Sequence, residues 1–69
     1  MKTVLNIGMS LVRLYGWKVE RFDIQRCTND VINRTWYVGY LYIIDTKNDI
    51  PCTILIRDDG TFEIDEREV

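Results

Sequence analysis

The sequence predicts an α+β domain: one N-terminal helix packed on a four-stranded antiparallel β-meander, strand order 1-2-3-4, in two layers. Three observations carry that prediction. Apolar residues recur at helical spacing only near the N-terminus, strand-like runs fill the remainder, and the connections between them are short and rich in turn-forming residues. Short connections favour antiparallel neighbours, because a parallel crossover needs about a dozen residues. Residues 1–69 are expected to form a single domain.

The helix is predicted over residues 3–15. Val4, Ile7, Gly8, Leu11, Leu14 and Tyr15 form one face, widened by Leu5 and Val12, opposite Lys2, Asn6, Met9 and Arg13. Gly16 supplies a C-terminal cap. Gly8 weakens a helix by about 1 kcal/mol relative to alanine, so its place on the apolar stripe points to close packing there. Strands are predicted over residues 17–26, 34–45, 50–57 and 61–66, joined by CTNDVIN, TKND and DDG.

Loop lengths set register, and register sets faces. With Gly60 in the left-handed position of a three-residue turn, Arg57 pairs with Thr61, Ile56 with Phe62 and Ile54 with Ile64. A four-residue TKND loop pairs Asp45 with Ile50 and Leu41 with Ile54. One face then collects Gly39, Leu41, Ile43, Cys52, Ile54, Ile56, Phe62 and Ile64, which is the expected core beneath the helix. Gly39 and Gly8 would let the two layers approach closely. Trp17 and Val19 alternate on one phase and Phe22 and Ile24 on the other, which predicts a β-bulge near Glu20 and Arg21 that turns all four toward the helix.

The opposite face collects Trp36, Val38, Tyr40, Tyr42, Ile44, Thr53, Leu55 and Arg57, followed by Thr61, Glu63 and Asp65. The last strand is polar there, as the wet face of an antiparallel sheet should be. The second strand instead displays an aromatic and aliphatic stripe that no remaining element can cover. Such stripes mark interaction surfaces, or pack across strands with their polar tips in water.

Charge is also uneven. Residues 1–44 hold six basic and three acidic side chains, and residues 45–69 hold three basic and eight acidic, so the C-terminal third presents an acidic edge within a net charge of −2. Lys18, Arg21, Arg26 and Arg34 could line a sheet edge beside Trp36, but an acidic strand on the same sheet would repel phosphate, which argues against nucleic acid as a partner.

The chain lacks the usual means of catalysis. It has no histidine, its one serine, Ser10, falls on the helix, and neither Cys27 nor Cys52 lies in a metal-binding or redox spacing. Asp58 and Asp59 read as turn residues, and Asp45-x-Lys47-x-Asp49 lacks the glycine and terminal glutamate of a calcium loop. No cofactor or metal is expected, and an enzyme is not. The opening MKTVLNIGMSLV is broken by Asn6 and Ser10 and lacks a cleavage site, and no apolar run could span a membrane, so a cytoplasmic protein with no membrane partner is expected. The sequon Asn33-Arg34-Thr35 is read as chance and the cysteines as free thiols.

The resulting expectation is a small non-catalytic protein-binding module, an inhibitor or adaptor of the size common among phage and mobile-element proteins. Trp36, Tyr40, Tyr42 and Leu55 would anchor a protein partner, with Glu63 and Asp65 setting charge complementarity. A homodimer closed through the same face is the alternative use.

Overall fold

The structure, a computed structural model, describes residues 2–67; the side chain of Lys2 and the tail from Glu68 lie outside the described residues. Helix α1 (Lys2–Tyr15) leads into β1 (Lys18–Asn29), β2 (Arg34–Asp45), β3 (Ile50–Arg57) and β4 (Phe62–Glu66). The strands form one antiparallel sheet in the order β1-β2-β3-β4, as the sequence predicted. No helix among the described residues is long and apolar enough to cross a membrane.

Local chemistry ends each element. Gly16 adopts φ 68° and donates its N–H to the Val12 carbonyl at 2.8 Å, closing the last helical turn. Gly60, at φ 96°, completes the β3–β4 turn while Arg57 N–H donates to the Thr61 carbonyl at 2.9 Å. In the β2–β3 turn Asp49 takes the left-handed position, and Asp45 accepts from Lys47 N–H and Asn48 Nδ2. The Asp45 carboxylate is therefore occupied in shaping its own turn.

The first hairpin differs from expectation. β1 continues to Asn29, which pairs with Arg34, so the loop shrinks from seven residues to the four of 30–33. The side chain of Asn29 accepts from the N–H groups of Val31 and Ile32, and Asn33 turns the chain at φ 50°. This side-chain turn replaces the missing glycine signal. It leaves Val31 and Ile32 exposed at the tip of an arm that extends past β3.

The predicted bulge is present. Val19 pairs with Ile43 and Arg21 with Tyr42, leaving Glu20 as the extra residue and turning Phe22 and Ile24 onto the helix side. Val4, Leu11, Leu41, Ile43, Cys52, Ile54 and Ile56 form the buried core, ringed by Ile7, Val12, Trp17, Phe22, Ile24, Tyr37 and Ile50. Tyr15 is exposed but stacks on Trp17, ring centroids 4.8 Å apart.

Two predicted core residues are not core. The helix contacts β1, β2 and β3 but not β4, which leaves Phe62 38% and Ile64 49% exposed on the correct face of the sheet. One helix is about 10–12 Å wide and strands lie about 4.8 Å apart, so it cannot roof four strands. The role of the two glycines also needs refinement. A Cβ on Gly8 would lie 2.5 Å from two ring atoms of Phe22, and one on Gly39 would lie 2.5 Å from Val4 Cγ1 and 3.0 Å from Phe22 Cε1. What the glycines admit between the layers is the Phe22 ring.

The cysteines cannot meet. Cys27 pairs with Trp36 on the outer face of β1, whereas Cys52 pairs with Ile43 on the inner face of β3. Burial, followed by the nearby carboxylates of Glu66 and Asp45, pushes the Cys52 thiol above its ordinary pKa. A raised thiol pKa contributes stability that is complete below the ordinary thiol range and is lost as pH rises through the folded value. Iodoacetamide at neutral pH is accordingly expected to label half-buried Cys27 first and Cys52 only on unfolding, read by mass spectrometry of the digested protein.

Candidate functional site

The outer face of the sheet holds the half-buried side chains that the helix leaves out. Along β2 these are Trp36, Val38, Tyr40, Tyr42 and Ile44, because successive side chains alternate faces and Gly39, Leu41 and Ile43 take the inner positions. Register places Tyr40 between Asp23 on β1 and Leu55 on β3, and Leu55 beside Glu63 on β4. Of the expected anchors, Tyr40 and Leu55 are thus cross-strand neighbours, while Trp36 and Tyr42 share the same face of β2.

The structure divides them into two hollows. Trp36, Val38, Tyr40 and Leu55 floor the first, about 410 Å³, with Arg34, Arg57, Asp58 and Asp59 at its rim. Tyr42 belongs to the second, about 450 Å³, with Glu20, Arg21 and Arg67. Two guanidinium groups lie over the Tyr42 ring, Arg21 at 5.7 Å and Arg67 at 5.5 Å from its centroid. Tyr42 is therefore a ring already covered by cations, unlike Tyr40.

Hydrogen bonds hold Arg57, Asp58 and Asp59 of the first hollow's rim. Asp58 accepts the Tyr37 N–H at 3.2 Å, tying the β3–β4 turn to the part of β2 that extends beyond β3. Asp59 accepts from Thr61 N–H at 2.9 Å and Thr61 Oγ1 at 2.7 Å. The Thr61 hydroxyl, then its amide, hold the Asp59 carboxyl below its ordinary pKa, so this bracing is present above the ordinary carboxylate range and is lost as acid protonates the group. Arg57 reaches Glu63 at 2.8 Å and Thr61 Oγ1 at 3.2 Å, and Arg34 lies 5.3 Å from the Trp36 ring centroid.

Of the expected polar residues, Glu63 is thus committed to Arg57. Asp65, opposite Thr53, makes no ion pair among the described residues. The basic groups that might have formed a stripe are dispersed: Arg21 pairs with Asp23 at 2.6 Å, and Arg26 faces the inner side opposite Tyr37. No cluster of three or more metal-binding side chains occurs among the described residues.

Sequence reasoning placed Arg34 beside Trp36, and Asp58 and Asp59 in a turn, without joining them to the anchors, and it missed Arg67. The guanidinium of Arg67 reaches Glu20 at 2.6 Å and the Ile43 carbonyl at 2.9 Å, strapping the chain after β4 across the sheet to the bulge. The bulge itself was the available signal, since an extra residue redirects a side chain, but its partner lies 47 positions away. Comparison with known protein families, curated proteins and solved structures returns no match.

Proposed function

We propose that this chain is a non-catalytic cytoplasmic protein-binding module whose partner seats an apolar side chain in the hollow between Trp36 and Leu55. The observation that carries this reading is the composition of that hollow: an aromatic and aliphatic floor, enclosed by charged residues that are already braced. An apolar centre within a polar rim is the anatomy of a protein interface, and aromatic anchors concentrate its binding energy. Bracing lowers the entropy lost on docking, because the rim does not need to be ordered by the partner. At the rim Asp58 and Asp59 are balanced by Arg34 and Arg57, so the bias toward a partner with positive charge nearby rests on Asp65 of β4.

Tyr40→Glu tests the reading, since it puts a charge on the floor while leaving the inner face untouched. Affinity capture from source-cell extract with wild type, Tyr40→Glu and the helix-surface control Arg13→Glu is expected to recover one partner with wild type and control. Recovery should fall at least about tenfold with Tyr40→Glu, the loss of one desolvated anchor. Equal recovery by a folded Tyr40→Glu would reject the hollow as the binding site. Mass measured across a concentration series separates the remaining occupant, a second copy of this chain, which would give a dimer that Tyr40→Glu dissociates.

A further inference from the structure

β4 is the acidic edge of the sheet, and half of its backbone is unused. Arg57 N–H donates to the Thr61 carbonyl and Arg67 N–H to the Pro51 carbonyl, so the odd-numbered residues from 61 to 67 aim their backbone groups at β3. Phe62, Ile64 and Glu66 therefore aim theirs at the side where no further strand lies among the described residues. The same three residues point their side chains to the helix side, beyond the reach of α1, and Phe62 and Ile64 remain exposed. On the other face of the strand stand Glu63 and Asp65.

We propose that β4 is a docking edge that accepts a partner segment as a fifth strand, and that the segment alternates apolar with basic residues. Antiparallel or parallel addition would complete the hydrogen bonds of Phe62, Ile64 and Glu66. Strand alternation then dictates the side chains. Apolar residues of the incoming strand lie beside Phe62 and Ile64 and extend the layer under the helix flank; basic residues lie beside Asp65, and beside Glu63, whose carboxylate also holds Arg57.

Charge disfavours a second copy centred on Ile64 at this edge. An antiparallel copy centred on Ile64 would place Glu63 of each chain opposite Asp65 of the other, and Phe62 opposite Glu66. Acidic side chains thus oppose that register of self-pairing, the usual hazard of an open edge, while favouring a cationic strand. The other edge, β1, lacks this selectivity, because Lys18, Arg21 and Arg26 alternate with Glu20 and Asp23 and the bulge interrupts it. The proposal concerns a surface distinct from the Trp36 hollow and stands if that reading fails.

The test uses the whole chain and three short peptides: alternating lysine and valine, alternating glutamate and valine, and lysine and valine in two blocks. At low ionic strength the alternating lysine peptide is expected to bind and to slow amide exchange at Phe62, Ile64 and Glu66, while Glu63 and Asp65, already bonded to β3, change little. Asp65→Lys should weaken that binding about tenfold or more, and the neutral change Leu14→Ala on the exposed helix surface should leave it unchanged. No binding at large peptide excess, equal binding of the glutamate peptide, or binding that leaves the amides of Phe62, Ile64 and Glu66 exchanging freely would each overturn the proposal.

Discussion

Ile54→Ala is expected to remove about 2–5 kcal/mol of folding stability, the range for truncating a fully buried aliphatic residue. Ile54 has no exposed surface and sits at the centre of β3, paired with Leu41 on one side and Ile64 on the other, beneath the helix. The magnitude matters because the chain is small. At about 0.05–0.15 kcal/mol per residue, 69 residues give a total of roughly 3–10 kcal/mol, so one truncation removes about a fifth of it or more. Urea unfolding should show the midpoint falling sharply with its slope retained. Leu14→Ala supplies the contrast: that side chain is 75% exposed, and its removal should change stability by less than about 0.5 kcal/mol. Equal losses at the two positions would contradict the helix packing described above.

Gly39→Ala is expected to destabilise by about 1–3 kcal/mol although it adds a single methyl group. The new Cβ would fall 2.5 Å from Val4 Cγ1, and valine on a helix has one preferred rotamer, so the contact cannot be relieved by a side-chain flip alone. The second obstacle, Phe22 Cε1 at 3.0 Å, belongs to a ring wedged between the layers. For a domain of this size the melting temperature should fall about 4–8 °C for each kcal/mol. Val4→Ala removes the obstructing methyl, so the double variant should lose less than the sum of the two single losses. Gly8→Ala meets the same ring, but the gain of about 1 kcal/mol in helix propensity offsets part of the clash, and its net cost should be smaller. A neutral Gly39→Ala would show that the helix shifts freely over the sheet.

The legible part of the fold was the part written in local chemistry. Gly16 and Gly60 fixed two chain reversals, and the loop lengths of TKND and DDG gave the β2–β3 and β3–β4 pairings residue by residue. The phase change between Val19 and Phe22 announced the bulge. The β1–β2 turn was misread as longer because its reversal depends on the Asn29 side chain, a weaker signal than glycine. For the candidate site, alternation placed Trp36, Tyr40, Tyr42 and Leu55 on one face, but it could not divide them. That division follows from Arg21 and Arg67 covering Tyr42.

By itself the sequence determined the order of elements, the register of the last two hairpins and which side chains of their strands share a face, because each follows from alternation and turn geometry within a few residues. Tertiary structure decided what those faces meet. It set the width that one helix can cover, leaving Phe62 and Ile64 beyond its edge, and it placed the Phe22 ring between Gly8 and Gly39. It also brought Asp58 to the Tyr37 amide and Arg67 to Glu20. Those contacts join residues far apart in the chain, and no local periodicity encodes the distance between layers or the reach of a side chain across a sheet.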